Sequence, residues 1–144
     1  MMKSMEMDKK TVNILVAEDD DIDFKALKRA FKECEISNPV IRAEDGQIAL
    51  DILKKGEINF PFILLVDLKM PRMDGFQLID EIRNDKKLTK TIIFVLTTSD
   101  NENDLKQAYE RHIAGYIIKS DFRSGFIKAI KMLDYYCEVI VFSK

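Results

Sequence analysis

Apolar runs alternate with amphipathic stretches along the chain. Five short runs are almost entirely apolar: Val12–Ala17, Val40–Ala43, Phe62–Val66, Thr91–Leu96 and Gly115–Ile118. Short, continuous apolar runs of this kind are typical of parallel strands that are buried on both faces. The stretches between and after them place apolar residues three or four positions apart, which is the spacing of an amphipathic helix.

The amphipathic stretches predict five helices, each with one buried face. In chain order, the residues expected on these faces are Leu27, Ala30, Phe31 and Cys34; Ile48, Ala49, Ile52 and Leu53; Phe76, Leu78, Ile79 and Ile82; Leu105, Ala108 and Tyr109; and Phe126, Ile130, Leu133 and Cys137. Gly56 is expected to end the second helix. Ser99 and Glu102 have the spacing of a capping box before the fourth helix. That helix has the weakest apolar face, so we expect it to be the loosest.

Strands that alternate with helices favour a parallel sheet with right-handed crossovers and helices on both faces. We therefore predict an α/β fold, a flavodoxin-like three-layer sandwich, with a five-stranded parallel sheet in the order 2-1-3-4-5 and five helices. In this order the first and third strands are neighbours. The residues that follow these two strands should meet at one edge of the sheet.

The candidate site residues follow four of the five predicted strands. Glu18 and Asp19 follow the first strand, Asp67 the third, Thr97 the fourth and Lys119 the fifth. Ligands of open α/β sheets bind at the carboxyl ends of the strands. The sequence therefore predicts that three carboxylates, a hydroxyl and an ammonium lie close together at this edge.

Three neighbouring carboxylates need a compensating charge, because two unit charges about 4 Å apart repel by about 4 kcal/mol at an effective dielectric near 20. Carboxylate oxygens without His or Cys suit Mg²⁺, which keeps several waters and completes its shell with a phosphate. Thr97 and Lys119 could hold phosphoryl oxygens. The chemistry predicted is nucleophilic attack by Asp67 on phosphorus, which gives an aspartyl phosphate.

Composition narrows the classes of protein. The 144 residues are 47% hydrophobic and 33% charged, as in one ordinary globular domain. The net charge of −2 argues against DNA as a partner. No apolar run approaches the ~20 residues that span a membrane, and the charged N-terminus lacks the apolar core of a signal peptide. We expect a cytoplasmic protein with a flexible leader over 1–10, a single domain over 11–144 and no output domain. Cys34 and Cys137 lack metal or redox spacing and are expected to be reduced.

Taken together, these residues resemble the receiver domain of bacterial two-component response regulators, from Asn13 to about Tyr136. The residues that carry the resemblance are Glu18-Asp19, Asp67, Met70-Pro71, Met73-Asp74-Gly75, Thr97, Tyr116 and Lys119. The sequences of Pro71–Gly75 and Leu96–Asp100 are similar to those of small stand-alone receivers that serve phytochrome-type and other hybrid sensor kinases.

The resemblance implies a phospho-acceptor signalling domain rather than an enzyme. Asp67 would take a phosphoryl group from a phosphohistidine on a sensor histidine kinase or phosphotransfer protein. Asp19 and Asp67 would bind Mg²⁺ directly, with the backbone carbonyl of Lys69 as third protein ligand and Glu18 acting mainly through water.

The same resemblance assigns the remaining residues. Thr97 and Lys119 would hold the phosphoryl oxygens, and Tyr116 would be the rotamer switch that follows Thr97 inward. The output surface would be the fourth helix, fifth strand and fifth helix. We expect this face, with the apolar tail Val139–Phe142, to form a homodimer; the alternative is that the tail folds back onto its own domain.

Three positions depart from the family pattern. Ser120 follows Lys119 where the family usually has Pro, whose peptide bond is commonly cis. Lys69 lies on the path of hydrolytic water, and Thr98 replaces a smaller residue beside the phosphoryl group. We expect Lys69 and Thr98 to affect the lifetime of the phosphorylated state, in a direction that the sequence leaves open.

Other interpretations of the acids were weighed. Asp20, Asp21 and Asp23 are expected to favour the start of the first helix through its dipole, with a metal contact of Asp20 left open. Arg72 is expected to be a surface charge or a partner contact.

Three other functions were compared with the phospho-acceptor. A phosphatase of the haloacid dehalogenase type would want an Asp where Lys69 stands. A flavodoxin-like FMN carrier would want a Gly/Ser/Thr-rich loop after the first strand, where this chain is acidic. A receiver that acts only as a phosphorylation-independent interaction module stays open.

Overall fold

The structure is a computed structural model, and it describes residues 11–119 and 124–143. The predicted leader 1–10 and Ser120 lie outside the described residues. Over the described ranges, strands and helices alternate strictly. In chain order they are β1 (Asn13–Ala17), α1 (Asp21–Glu33), β2 (Val40–Ala43), α2 (Gly46–Lys54), β3 (Phe62–Val66), α3 (Gly75–Asn84), β4 (Ile92–Thr97), α4 (Glu102–Glu110), β5 (Gly115–Ile118) and α5 (Ser124–Val139).

The strands form one parallel sheet in the order β2-β1-β3-β4-β5. The predicted fold class and strand order are confirmed. β1 and β4 each begin one residue later than predicted, and β4 extends through Thr97. The apolar runs identify the strands because this parallel sheet is covered by helices on both faces.

Two apolar clusters hold the helices on the two faces of the sheet. One packs α2, α3 and α4 against residues such as Leu64 and Val66, and the other packs α1 and α5 against residues such as Ile63 and Leu65. The alternation of β3 side chains between the clusters follows from the period-two geometry of a strand. β3 is therefore a fixed central support that ends at Asp67.

Most of the predicted helix-face residues are buried or half-buried, but three are wrong: Ile48 on α2, and Leu105 and Tyr109 on α4, which are 39% and 49% exposed. The predicted residues of α3 and α5 are buried or half-buried, and so are those of the α1 stripe. Ile48 is wrong, because it is 37% exposed whereas Leu50 is buried. Successive helical residues point about 100° apart, so a buried stripe of Ala49, Leu50 and Leu53 turns Ile48 toward solvent.

The start of α4 also differs from the prediction. Asn101, not Ser99, caps this helix, and its side chain accepts hydrogen bonds from the backbone N–H groups of Asn103 and Asp104. The Ser99 hydroxyl instead donates to the Asp104 carboxylate at 2.7 Å. The weak apolar face of α4 is confirmed, since Leu105 is 39% exposed.

The end of α2 is as predicted. Gly56 follows the C-cap Lys55 and has a φ of +66°, in the left-handed region that glycine adopts without strain. In the part of the chain that the structure describes, no helix combines the length and apolar character needed to cross a membrane.

Candidate functional site

The strand register brings the predicted site residues to one edge of the sheet. Ala17 of β1 is paired with Val66 of β3, and the backbone N–H of Asp67 donates to the Ala17 carbonyl at 3.1 Å. The backbone N–H of Lys119 donates to the Thr97 carbonyl at 2.7 Å. The residues that follow β1, β3 and β5 therefore lie side by side with the end of β4.

This edge buries charged groups, which is unusual for a protein interior. Glu18, Asp67 and Lys119 are 4%, 8% and 2% exposed, and Thr97 is fully buried. Buried charges are costly unless they are paired and hydrogen-bonded. The partners of each group therefore decide what the edge can do.

Lys119 is the centre of a cluster of carboxylates. Its ammonium donates to Glu18 Oε1, to Asp23 Oδ2 at 3.0 Å and to Asp67 Oδ2 at 3.0 Å. An ammonium has three N–H donors, so these three contacts use all of them. We call Glu18, Asp23, Asp67 and Lys119 the Lys119 cluster.

The charges of the Lys119 cluster do not balance, since three carboxylates surround one ammonium. One oxygen from each carboxylate lies within 4.8 Å of one oxygen from each of the others. At an effective dielectric near 20, the ammonium 3.0 Å away attracts Asp67 by about 5.5 kcal/mol. The other two carboxylates each repel Asp67 by at least about 3.5 kcal/mol. When all three carboxylates are ionised, the repulsion of Asp67 slightly exceeds the attraction, and a divalent cation would reverse the balance.

Burial adds to this imbalance. Burial raises the pKa of the Glu18 carboxyl to about 7, and the hydrogen bond and charge of Lys119 only partly oppose the shift. Burial alone would lower the pKa of Lys119, but the Glu18 hydrogen bond and the charges of Asp67 and Glu18 raise it. The ammonium is thus firmly charged, whereas one of its carboxylates tends to hold a proton.

The acidic loop after β1 divides its residues between two roles. Asp20 caps α1, because its carboxylate accepts hydrogen bonds from the backbone N–H groups of Ile22 and Asp23. This agrees with the expected helix-start role. Asp19, the predicted metal ligand, is exposed and lies next in the chain to Glu18. The group of three carboxylates contains Asp23 where the sequence prediction had Asp19.

Asp23 is the functional candidate that sequence reasoning missed. It was assigned only to the helix dipole, yet its side chain contacts Lys119. A signal was present in the sequence: Asp23 lies four residues before Leu27, at the head of the buried stripe of α1. A charged residue in line with a buried stripe points toward the sheet rather than into solvent.

The loop after β3 closes over Asp67. The backbone N–H of Lys69 donates to Asp67 Oδ1 at 3.2 Å, while the residue itself is exposed. A Cβ on Gly75 would lie 2.5 Å from the Asp67 carbonyl oxygen, so only glycine allows α3 to begin this close to Asp67. Arg72, expected to be a surface charge or a partner contact, is 72% exposed, and its guanidinium pairs with the buried Asp45.

The predicted switch pair lies on two neighbouring strands, with Thr97 at the end of β4 and Tyr116 in β5. The Thr97 hydroxyl oxygen accepts a 3.4 Å hydrogen bond from the backbone N–H of Ser99. The Tyr116 hydroxyl donates to the Ser99 carbonyl at 2.9 Å, and the residue is half-buried. Both side chains are therefore linked to the same loop residue.

Comparison with known proteins agrees with this geometry. The profile of the family described as response regulator receiver domain matches residues 14–143. The response regulator Rcp1 of Synechocystis is 31% identical over 125 residues, which cover 84% of this chain and 85% of Rcp1.

Solved structures show the same similarity. The Mn²⁺-bound form of Rcp1 superposes with a TM-score of 0.80 at 28% identity, covering 92% of this chain and 99% of that one. The phosphorylated cyanobacterial phytochrome response regulator RcpA also gives a TM-score of 0.80, at 26% identity, covering 92% of this chain and 98% of that one.

Proposed function

Because the chain belongs to the response regulator receiver domain family, we propose that it accepts a phosphoryl group on Asp67 in a Mg²⁺-dependent reaction. The observation that carries the proposal is the excess negative charge of the Lys119 cluster, where one ammonium faces three carboxylates. Such a site favours a hard divalent cation, which carboxylate oxygens and a carbonyl suit. We assign Glu18, Asp19, Asp67 and the carbonyl oxygen of Lys69 to this metal.

In the proposed reaction an Asp67 carboxylate oxygen attacks the phosphorus of a phosphohistidine. The new P–O bond forms as the P–N bond breaks, and the bonding electrons leave with the imidazole nitrogen. Mg²⁺, when bound, would neutralise charge on the transferring oxygens. Lys119 and the Thr97 hydroxyl hold phosphoryl oxygens, so that Lys119 exchanges its Asp67 contact for a contact with the new group.

Signalling then follows from movement at the end of β4. When Thr97 turns toward the phosphoryl group, the loop at Ser99 shifts and releases the Tyr116 hydroxyl. The output surface is the face formed by α4, β5 and α5. The shallow packing of α4 supports this role, because moving elements come from the less stable parts of a fold.

The proposed partners are a sensor histidine kinase or a phosphotransfer protein, and the output is protein contact rather than DNA binding. We place the domain in the cytoplasm and assign 11–144 to one receiver domain.

A homodimer through the α4-β5-α5 face and the tail is the second part of the proposal. Val139 and Val141 are 70% and 74% exposed at the end of α5. The tail also folds back in part, since the Phe142 ring makes an edge-to-face contact with Phe60. Sedimentation should give a dimer for the full chain and a monomer for Val141→Glu. An unchanged mass would remove the tail from the interface.

The test of phosphorylation is direct. Incubation with acetyl phosphate or phosphoramidate and Mg²⁺ should add the mass of one phosphoryl group, and chelation of Mg²⁺ should prevent it. Asp67→Asn should abolish the gain, whereas Asp51→Asn, which changes an exposed acid of α2, should keep it. A wild-type chain that stays unmodified, also with kinase, would favour the phosphorylation-independent interaction module.

A further inference from the structure

Asp23 occupies a position that the start of α1 does not require. Asp20 already caps the helix, and Asp21 supplies a further negative charge in its first turn. Asp21 is exposed and forms an ion pair with Arg42 at 2.7 Å. The Asp23 side chain is only 25% exposed and turns the other way, to Lys119.

The contact between Asp23 and Lys119 joins α1 to the end of β5, 96 positions away in the chain. Lys119 is nearly fully buried, and its third N–H donor has gone to Asp23 rather than to water. Asp23 therefore affects both the direction of the ammonium and the net charge around it.

We propose that Asp23 is a positioning residue that sets the charge of the site: it strengthens the binding of the cation and weakens the binding of the phosphoryl group. This proposal rests on the proposed function, since it concerns the same reaction at Asp67. Asp23 need not touch either group, because it acts through Lys119 and through its charge.

The two effects have opposite signs for one physical reason. A carboxylate whose oxygen lies within 4.8 Å of an oxygen of Asp67 attracts a divalent cation at that site. The same carboxylate repels the dianionic phosphoryl group and competes with it for the Lys119 ammonium. A residue that only supported the fold would change both affinities in the same direction, or neither.

The test compares Asp23→Asn with wild type by calorimetry. The amide keeps the size of the side chain and an acceptor for Lys119, so the change removes mainly the charge. We expect Mg²⁺ to bind about tenfold more weakly. At saturating Mg²⁺, beryllofluoride, used as a phosphoryl mimic, should bind about threefold to tenfold more tightly.

Two further variants control the measurement. Asp21→Asn removes an acid from the same helical turn without touching Lys119, and should leave both affinities unchanged. Asp23→Glu, which restores the charge, should move the Mg²⁺ affinity back toward that of wild type.

The outcomes separate this proposal from the proposed function. If wild type binds Mg²⁺ and beryllofluoride but Asp23→Asn shifts both in one direction, or neither, the role of Asp23 is overturned and the function stands. If wild type binds neither, both are overturned.

Discussion

Two cations, the buried Lys119 and the half-buried Arg83, lie at opposite ends of the sheet, and they are held in different ways. At the carboxyl ends of the strands, the Lys119 ammonium meets three carboxylates. At the amino ends of β4 and β5, the Arg83 guanidinium donates to four backbone carbonyls, those of Thr89, Thr91, Arg111 and His112, among the described residues. Both side chains are tied down, but only Lys119 has charged partners.

The two arrangements can do different things. We call Arg83 with its four carbonyl partners the Arg83 brace, because its contacts are structural, whereas the Lys119 cluster is a candidate binding site. The carbonyls around Arg83 are neutral and do not offset the positive charge of the guanidinium. Their hydrogen bonds with Arg83 hold the loops that lead into β4 and β5. Around Lys119 the partners carry more charge than the cation cancels, so the cluster gains from binding another cation. A cation held by neutral carbonyls therefore indicates a structural contact, whereas an excess of buried carboxylates around a cation indicates a candidate functional site.

The largest expected effect is the loss of stability when the Arg83 brace is removed. Arg83→Met should lower the free energy of unfolding by about 3 kcal/mol, because several carbonyls lose their donor at once. Phosphorylation by acetyl phosphate should continue in the folded fraction. Urea unfolding measures the first and intact mass the second, with Lys86→Met as the exposed control. Loss of phosphorylation in folded Arg83→Met would show that the reaction at the Lys119 cluster depends on the Arg83 contacts at the opposite end of the sheet.

The charge imbalance predicts a smaller effect of the opposite sign. At pH 8, where Glu18 is ionised, Asp67→Asn should raise the free energy of unfolding of the metal-free protein by about 1 kcal/mol, since repulsion from two carboxylates exceeds attraction by one ammonium. Saturating Mg²⁺ should cancel the advantage by stabilising wild type. Urea unfolding with and without a chelator gives both values. A destabilised Asp67→Asn in the chelator would mean that the cluster is already balanced.

A third expected effect is a dependence of stability on pH that arises in the Lys119 cluster. The folded pKa of Glu18, about 7, lies above its ordinary value of 4.5, so the folded protein holds this proton more tightly than the unfolded chain does. The resulting stability is complete below pH 4.5 and is lost as the pH rises through about 7.

Thermal unfolding in a chelator, from pH 5 to 8, measures this loss. Glu18→Gln should remove that part of the decline, whereas Arg83→Met should keep it. A Glu18→Gln profile parallel to that of wild type would contradict the raised pKa.

Much of this molecule could be predicted from its sequence, because the signals are local. The apolar runs specify the strands, and strand order with parallel direction then places Asp67, Thr97 and Lys119 at one edge. The exact pairing of the strands was not needed for this prediction, because each of these polar residues ends its strand or directly follows it.

Other features depend on competition or on distant loops. Ser99 had capping-box spacing, but Asn101 reaches two N–H groups of α4 and takes the cap. The carbonyls around Arg83 come from separate loops, so no spacing in the sequence reveals them. The role of Asp23 could not be predicted for another reason. The helix dipole accounts equally well for Asp20, Asp21 and Asp23, and only the contact with Lys119 distinguishes Asp23 from the other two.

The central claim is that Asp67 is the residue that takes the phosphoryl group. After phosphorylation with acetyl phosphate and Mg²⁺, borohydride reduces an acyl phosphate to an alcohol and so converts the modified aspartate to homoserine. Mass spectrometry should find homoserine at position 67, in the tryptic peptide Gly56–Lys69. Homoserine at Asp19 or Asp23, 5-hydroxynorvaline at Glu18, or an unmodified Asp67 in a chain that has gained a phosphoryl group would contradict this assignment.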